Sequence, residues 1–293
     1  MRLPQIDGVA PSRVRLPDEV QGALGDFLCR FFPRLETEVW RQRLESGKVL
    51  NEAGLPLHWD SPCQAAALVF YYREPPPEIE VPFKEEILYQ DDHLLIADKP
   101  HFLPDIPSGR FLRETLLIRL RRSTGIADLT PVHRLDRDTA GLVIFSVNPA
   151  SRGRYTSLFQ QRSIRKIYHA VAPWQEKLLE PLIHHSLMVE SQPFFRMQEV
   201  PGEPNSSTRV SLLEHRGEHA LYQLEPVSGR KHQLRVHMAS LGAGIINDPY
   251  YPNMLPDVAH DDFSSPLQLL AYSLTFQDPI SGEERRFTSK RRL

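Results

Sequence analysis

The sequence predicts an α+β fold: a mixed, mostly antiparallel sheet with flanking helices, preceded by a small N-terminal α/β unit. Strand-like and helix-like stretches are interspersed without the strict alternation of a doubly wound parallel sheet. Pro75, Pro76 and Pro77 break the chain just after an apolar strand; prolines lack the amide proton a sheet ladder needs, so a stiff linker is expected over 74–82. Finally, 293 residues, 41% of them hydrophobic, suffice for one small and one large core. The expected domains are 1–80 and 81–293.

Residues 1–15 show no period and read as an extended arm. From Leu16 to Phe31, Val20, Leu24, Phe27, Leu28 and Phe31 recur at helical spacing, and Pro33 stops the helix. A second helix, TEVWRQRLES, is capped by Thr37 and ended by Gly47. KVLNEAGLPL reads as two short strands about an Asn-Glu-Ala-Gly turn, and AAALVFYY (65–72) as the strand closing the small unit. Beyond the linker, EILYQDDHLLIADKP reads as two strands about a polar turn. GRFLRETLLIRLRRSTG is helical, with Leu112, Leu116 and Leu120 on one stripe and Gly125 as its stop. LVIFSV is a buried strand, and Asn148 with Pro149 starts the helix ASRGRYTSLFQQR. IRKIYHAVA and ALYQLEPV are strands. KHQLRVHMASLG is a helix with Leu234, Met238 and Leu241 on one side and Gly242 closing it.

The formal net charge is −2, so any nucleic-acid surface must be local. Three basic clusters interleaved with aromatic residues offer one: RFLRETLLIRLRR (110–122), RGRYTSLFQQRSIRK (152–166) and the closing RRFTSKRR. The two cysteines, Cys29 and Cys63, form no CxxC pair, which argues against a disulfide framework or a structural zinc site and fits a reducing compartment. MRLPQIDGVAPSRV lacks an apolar signal core and no apolar run approaches the length of a membrane span, so a cytoplasmic location is expected. A monomer is expected too.

The most chemically loaded stretch is PVHRLDRDTAGL (131–142), which sets His133, Arg134, Asp136, Arg137 and Asp138 ahead of the buried LVIFSV. Burial at a strand mouth favours a neutral carboxyl, and a nearby arginine opposes this. Charged and partly desolvated, such a carboxylate can act as a nucleophile or stabilise a cation developing at a sugar carbon. Equally, Asp136 and Asp138 can cap a turn and pair with Arg134 or Arg137 on the surface. In RSIRKIYHAVA, strand alternation puts Lys166 and Tyr168 on one face. The lysine can lower the phenol's pKa, making it a proton acceptor, while the ring stacks on a base; or Tyr168 is an ordinary half-buried strand residue. In SGRKHQLRVHMASLG, His232, Arg235 and Ala239 share a helical face, and Arg235 can grip a carboxylate bidentately or simply end a basic helix in water. His232 and His237 are five apart on different faces, so no metal is expected.

In order and character, HRLDRDTAGL, RKIYHAV and GRKHQLRVHMASLGAGIINDPYY resemble the RluA-type pseudouridine synthases. The first matches that family's pattern except at Ala140. The resemblance covers about 85–289, including AYSLTFQDPISGEERRFTS as a final strand pair. The N-terminal unit is more faintly similar to a small RNA-binding domain shared by a ribosomal small-subunit protein and several of these synthases. The resemblance implies isomerisation of uridine to pseudouridine in large-subunit ribosomal RNA, tRNA or both, without cofactor or metal. By the same likeness Asp136 would be the catalytic carboxylate, and Arg235 would hold it charged. Tyr168 would pack on the uracil and help remove its carbon-5 proton. Leu234 would wall the base pocket, and Arg134 would take the place of the extruded nucleotide in the RNA stack. His133 and Lys166 would serve the RNA, and Asp138 the turn. His101, Phe102, Ala243, Gly244, Asn247 and Leu270 depart from the family pattern, and none of these is Asp136, Tyr168 or Arg235.

Two other classes compete. A non-catalytic RNA-binding or assembly protein on the same scaffold would be favoured by loss of the Asp or the Tyr, and both are present. A glycoside or nucleoside hydrolase wants a second carboxylate as general acid, and none is as well marked as Asp136.

Overall fold

The computed structural model describes residues 3–74, 77–256, 259 and 261–293; Pro75 and Pro76 of the expected linker lie outside them. The chain divides into two compact units, Met1–Glu78 and Ile79–Leu293. Among the described residues no helix is long and apolar enough to cross a membrane.

The first unit runs β1 (Ser12–Arg15), α1 (Leu24–Phe31), α2 (Thr37–Glu45), β2 (Val49–Leu50) and β3 (Leu68–Tyr71), with the strands in order β1-β3-β2. The expected arm thus ends in a strand, because Ser12 to Arg15 pair antiparallel with β3. The first helix starts at Leu24 rather than Leu16. Leu16 is tied to the sheet through its amide and the Ala67 carbonyl (2.9 Å), and Gly22 sits at φ +94°, outside helical geometry. Thr37 is the first residue of α2 rather than its cap; Glu36 takes the cap position. Instead of two strands, NEAGLPL forms a loop in which Asn51 Oδ1 accepts from the Ala53 and Leu55 amides at 3.0 and 2.9 Å. Leu24, Leu28, Trp40, Leu44 and Val49 fill the core between the helices and the sheet.

The second unit runs β4 (Glu86–Gln90), β5 (Leu94–Lys99), α3 (Leu116–Thr124), β6 (Thr130–Pro131), β7 (Ala140–Ser146), α4 (Arg152–Gln160), β8 (Arg165–Pro173), β9 (Leu182–Glu190), β10 (Met197–Val200), β11 (Ser206–Arg216), β12 (His219–Pro226), α5 (Gln233–Ser240), β13 (Leu269–Gln277) and β14 (Glu284–Thr288). Among the described residues these strands form one sheet of eleven, in order β10-β9-β11-β12-β8-β13-β7-β5-β4, with β14 beside β13 and β6 beside β7. The class is the α+β one expected, and every pairing is antiparallel except β7 with β13. Helix α3 starts at Leu116 because Thr115 caps it, its Oγ1 accepting from the Ile118 amide at 3.4 Å, and Gly125 ends it at φ +72°. Asn148 closes a turn through the Ala150 amide, so α4 begins at Arg152. Strands β9, β10 and β11 were not anticipated.

Strand β7 is buried along its whole length, as its unbroken apolar run requires of a central strand. Leu142 and Ile144 pack with Leu94, Ile96, Tyr155 and Leu274. A second cluster joins Ala170, Ala172, Val210 and Leu224 of the sheet to Leu234 and Met238 of α5, and so fixes that helix on the sheet. At the parallel junction Gly141 faces Ala271 at φ +112°, and a Cβ there would lie 2.3 Å from the Ala271 carbonyl oxygen. Both clash and backbone strain follow, so Gly141→Ala is expected to destabilise the fold by about 3 kcal/mol or more. Urea unfolding of the two proteins checks this; a difference under about 0.5 kcal/mol, the range of a neutral surface change, would contradict it.

Candidate active site

The loop between β6 and β7 carries the acidic-basic stretch to a cavity of about 820 Å³. Its walls come from this loop, from β8 and from the segment leading into α5. Arg134, Arg137, Arg162, Lys166, Arg230 and Lys231 line it, against Asp105 and Asp136. The overall charge of −2 therefore conceals a strongly positive hollow.

Asp136 is the carboxylate nearest the chemistry that the sequence suggests. Arg235 Nη1 donates to its Oδ2 at 3.2 Å, and His232 Nε2 lies 3.9 Å from Oδ1. Arg235 is 1% exposed and makes its bidentate grip elsewhere: Nε and Nη2 donate to the two oxygens of buried Asp248 at 2.8 and 2.6 Å. Burial opposes the guanidinium's charge, but the bonded Asp248, with Asp136 and Asp138, more than offsets it and raises the pKa. Asp248 is held in turn by the Tyr250 and Tyr251 amides, at 2.8 and 3.1 Å to Oδ1, while both rings lie against the guanidinium. The two-pronged grip on a carboxylate that the sequence allowed is thus made with Asp248, and Asp136 receives the single remaining bond.

Lys99 holds the loop from beneath. Fully buried, its Nζ donates to the carbonyls of Leu103 (2.8 Å), Asp136 (3.0 Å) and Arg137 (3.0 Å). Asp105 accepts from the Leu135 amide, and burial pushes its pKa up to about 6 despite Lys99 nearby. Asp138 does serve the turn, its carbonyl bonded to His101 Nδ1 (2.8 Å) and its Oδ1 to Arg137 Nε (2.9 Å). His101, a departure from the family pattern, thereby contributes to the loop. Two other departures also have local reasons: Asn247 occupies the left-handed region at φ +60°, which asparagine tolerates, and Leu270 is buried at the β7–β13 junction.

Tyr168 and Lys166 share a face of β8 and both line the cavity. The phenol's pKa is raised, not lowered: burial dominates, and Asp136 and Asp105 add to it. Lys166 does not counter this; its own pKa is lowered by burial and by Arg162, and its Nζ donates to the Ser228 carbonyl at 3.2 Å. The expectation of an activated phenol is therefore corrected, since burial, with Asp136 and Asp105 adding to it, sets the direction of the shift. Leu234 is 7% exposed at the cavity wall, and Arg134 is exposed at its rim.

His133 faces the cavity but is engaged by the fold. Its Nε2 accepts from the Ile144 amide (3.1 Å), its ring stacks on Phe159 at 4.5 Å, and burial pushes its pKa down to about 3. An unfolded chain protonates this histidine near 6.5 while the folded one does not, so its contribution to stability is present above that pH and lost as pH falls towards 3. The slope of unfolding free energy between pH 7 and pH 4.5 is expected to be shallower in His133→Gln, by roughly one proton's worth. Equal slopes in the two proteins would contradict the assignment.

The other basic clusters are largely spent internally. Arg119 of α3 pairs with Glu114 and Glu85, Arg285 of β14 with Asp278 and Glu283, and Arg291 with Asp98 of β5. Sequence reasoning missed Asp248, Lys99 and Asp105 as supports of the site. Asp248 lies inside the quoted GAGIINDPYY, one residue beyond a noted departure, which was the available signal.

A family model described as RNA pseudouridylate synthase matches residues 93–240, which include the loop, β8 and α5. The chain is 31% identical over 221 residues to the dual-specificity RNA pseudouridine synthase RluA of Haemophilus influenzae, covering 70% of this chain and 92% of that protein. It is 27% identical over 235 residues to the mitochondrial tRNA pseudouridine(32) synthase of Saccharomyces cerevisiae, covering 78% and 49%. In fold it is similar to human RNA pseudouridylate synthase domain containing 1, with a TM-score of 0.58 at 22% identity over 74% of this chain and 86% of that one. The loop, strand and helix that wall the basic cavity all lie within the matched residues, and with the extent of these matches they place the chain in the RluA-type RNA pseudouridine synthases, isomerases that convert uridine to pseudouridine.

Proposed function

We propose that this enzyme acts on uridines of large-subunit ribosomal RNA, tRNA or both, with Asp136 as its catalytic carboxylate. The observation that carries the reading is the placing of Asp136 in a basic cavity, hydrogen-bonded by a buried arginine and beside Tyr168. The reaction is balanced without a co-reactant: the bond from uracil N1 to the sugar breaks, one from carbon 5 forms, and the carbon-5 proton is lost while N1 gains one. Asp136 bonds or stabilises the electron-deficient sugar carbon as the base departs. Arg235, fixed by Asp248, sets the direction of that carboxylate. Tyr168 packs against the uracil with its phenol protonated, and Leu234 closes the apolar side of the pocket.

A paired uridine must leave its stack to reach such a hollow, at a cost of a few kcal/mol. Exposed Arg134 at the rim fills the gap, and the cavity's lysines and arginines hold the flanking phosphates. The N-terminal unit adds RNA affinity through Arg30, Arg34 and Arg41, all exposed on or just after its helices. Replacing these three by alanine is expected to weaken RNA binding and to lower the slope of log affinity against log salt by up to about 3. Filter binding across a salt series measures it; an unchanged slope removes the unit from the RNA.

Mapping pseudouridine by carbodiimide-dependent primer-extension stops, in total ribosomal and transfer RNA from cells with and without the gene, tests the substrate. Loss of a discrete stop names the uridine. An unchanged map, with purified enzyme also inert on both RNA classes, would leave a non-catalytic RNA binder as the better reading.

A further inference from the structure

Away from the cavity, α5 meets the strands β9 and β10 through a cluster that the isomerisation does not use. His184 of β9, Glu199 of β10 and His237 of α5 each direct one ligand atom to a common point, all within 4.8 Å of one another. His184 Nε2 lies 2.8 Å from Glu199 Oε1, and His237 Nε2 lies 3.8 Å from the same oxygen. Three hydroxyls ring them: Ser186 and Ser206 Oγ stand 3.1 and 3.0 Å from His237 Nε2, and Ser240 Oγ stands 3.4 Å from His184 Nε2. His237 is fully buried, and among the described residues its Nδ1 has no hydrogen-bond partner. The side chains of His184 and Glu199 keep 21% and 22% of their surface, so the cluster opens to solvent on one side.

We propose that His184, Glu199 and His237 form a binding site for one divalent transition-metal ion, zinc in the first place. Two imidazoles and a carboxylate are a donor set that zinc takes readily, with water in the fourth position reached from the open side. Zinc at about 2.0–2.2 Å from each donor places neighbouring donors a little over 3 Å apart. The two spacings to Glu199, 2.8 and 3.8 Å, lie either side of that, and all three donors stand within 4.8 Å, so binding requires the side chains to draw together around the ion. Spacing along the chain gave no hint of it, because the histidines at 184 and 237 come from a strand and a distant helix. The ion ties the β9–β10 hairpin to α5, two residues beyond Arg235. It therefore staples the helix that presents the arginine to Asp136, and takes no part in the chemistry.

Titration of the full-length metal-free protein with cobalt(II), followed by zinc competition and calorimetry, tests the site. One equivalent of cobalt is expected to bind with the visible absorption of a four- or five-coordinate ion, to be displaced by zinc, and to raise the unfolding temperature. Glu199→Gln preserves a hydrogen bond to His184 while removing the anionic donor, and His184→Gln removes an imidazole from a partly exposed strand position. Each is expected to weaken binding by more than the roughly 10–100-fold that outer-shell partners are worth. His237→Asn serves as a third variant only if circular dichroism shows it folded. Absence of saturable binding to the wild-type protein, or undiminished wild-type affinity in Glu199→Gln and His184→Gln, would overturn the proposal and leave a hydrogen-bonded structural cluster. None of these readouts depends on the isomerase reaction.

Discussion

Asp136→Asn is expected to reduce isomerisation by roughly 10⁴-fold or more, the scale set by removal of a nucleophile, while RNA affinity changes little. The amide is the same size as the carboxylate and can still accept from Arg235 Nη1, so the loop keeps its shape. What it loses is the charge that, on the proposed mechanism, bonds or stabilises the sugar carbon. On the proposed reading, phosphate contacts from Arg162, Arg230 and Lys231 of the cavity wall dominate binding, and the substitution leaves them untouched. Single-turnover assays with a tritium-labelled uridine substrate, alongside filter binding, separate the two quantities. Turnover of a freshly purified variant within about tenfold of the parent would remove Asp136 from its role. Release of free uracil by the parent enzyme would point instead to hydrolysis.

The second large effect concerns Arg235. Arg235→Ala leaves Asp248 buried with no guanidinium, and breaking a buried pair in this way costs about 3–5 kcal/mol of stability. Arg235→Lys is the sharper experiment, since it keeps a charge in place. A lysine ammonium cannot span both carboxylates in the planar fork that Nε, Nη1 and Nη2 provide. It is expected to remain with Asp248 and to lower turnover by about 10²-fold, the scale of one preorganised charged hydrogen bond. Unfolding curves and single-turnover rates on the same preparations distinguish lost structure from lost alignment. If Arg235→Lys turned over within a few-fold of the parent, the arginine would be structural only.

Much of the site could be read from the sequence because its most telling residues lie in short local patterns. Asp136 sits ahead of an unbroken apolar strand, and Arg235 sits in a helix whose Leu234 and Met238 mark the buried side. The alternation that placed Lys166 with Tyr168 holds in β8. The sign of the phenol's shift did not follow, because it is set first by burial and then by Asp136 and Asp105, all of which depend on parts of the chain distant in sequence. Strand β9 stayed hidden for a related reason: in LIHHSLMVE every residue but Met188 is exposed or half-buried, so no clean two-residue period emerges. The late start of α1 was equally illegible, since Leu16 fits a helical stripe and only the pairing of its amide with Ala67 commits it to the sheet. Long-range contacts settle each of these cases.

The position of β13 in the sheet has a consequence for how the enzyme comes into being. β13 lies between β8 and β7, holding one by antiparallel and the other by parallel pairing. As the chain leaves the ribosome, the Asp136 loop and Tyr168 are made before β13, and among the described residues no sheet pairing joins β7 to β8 until Leu269 to Ala271 have emerged. Until then the nascent protein holds two half-sheets with unpaired inner edges, a state prone to mispairing. The pocket, to which β13 itself contributes Leu269, is thus a late product of synthesis.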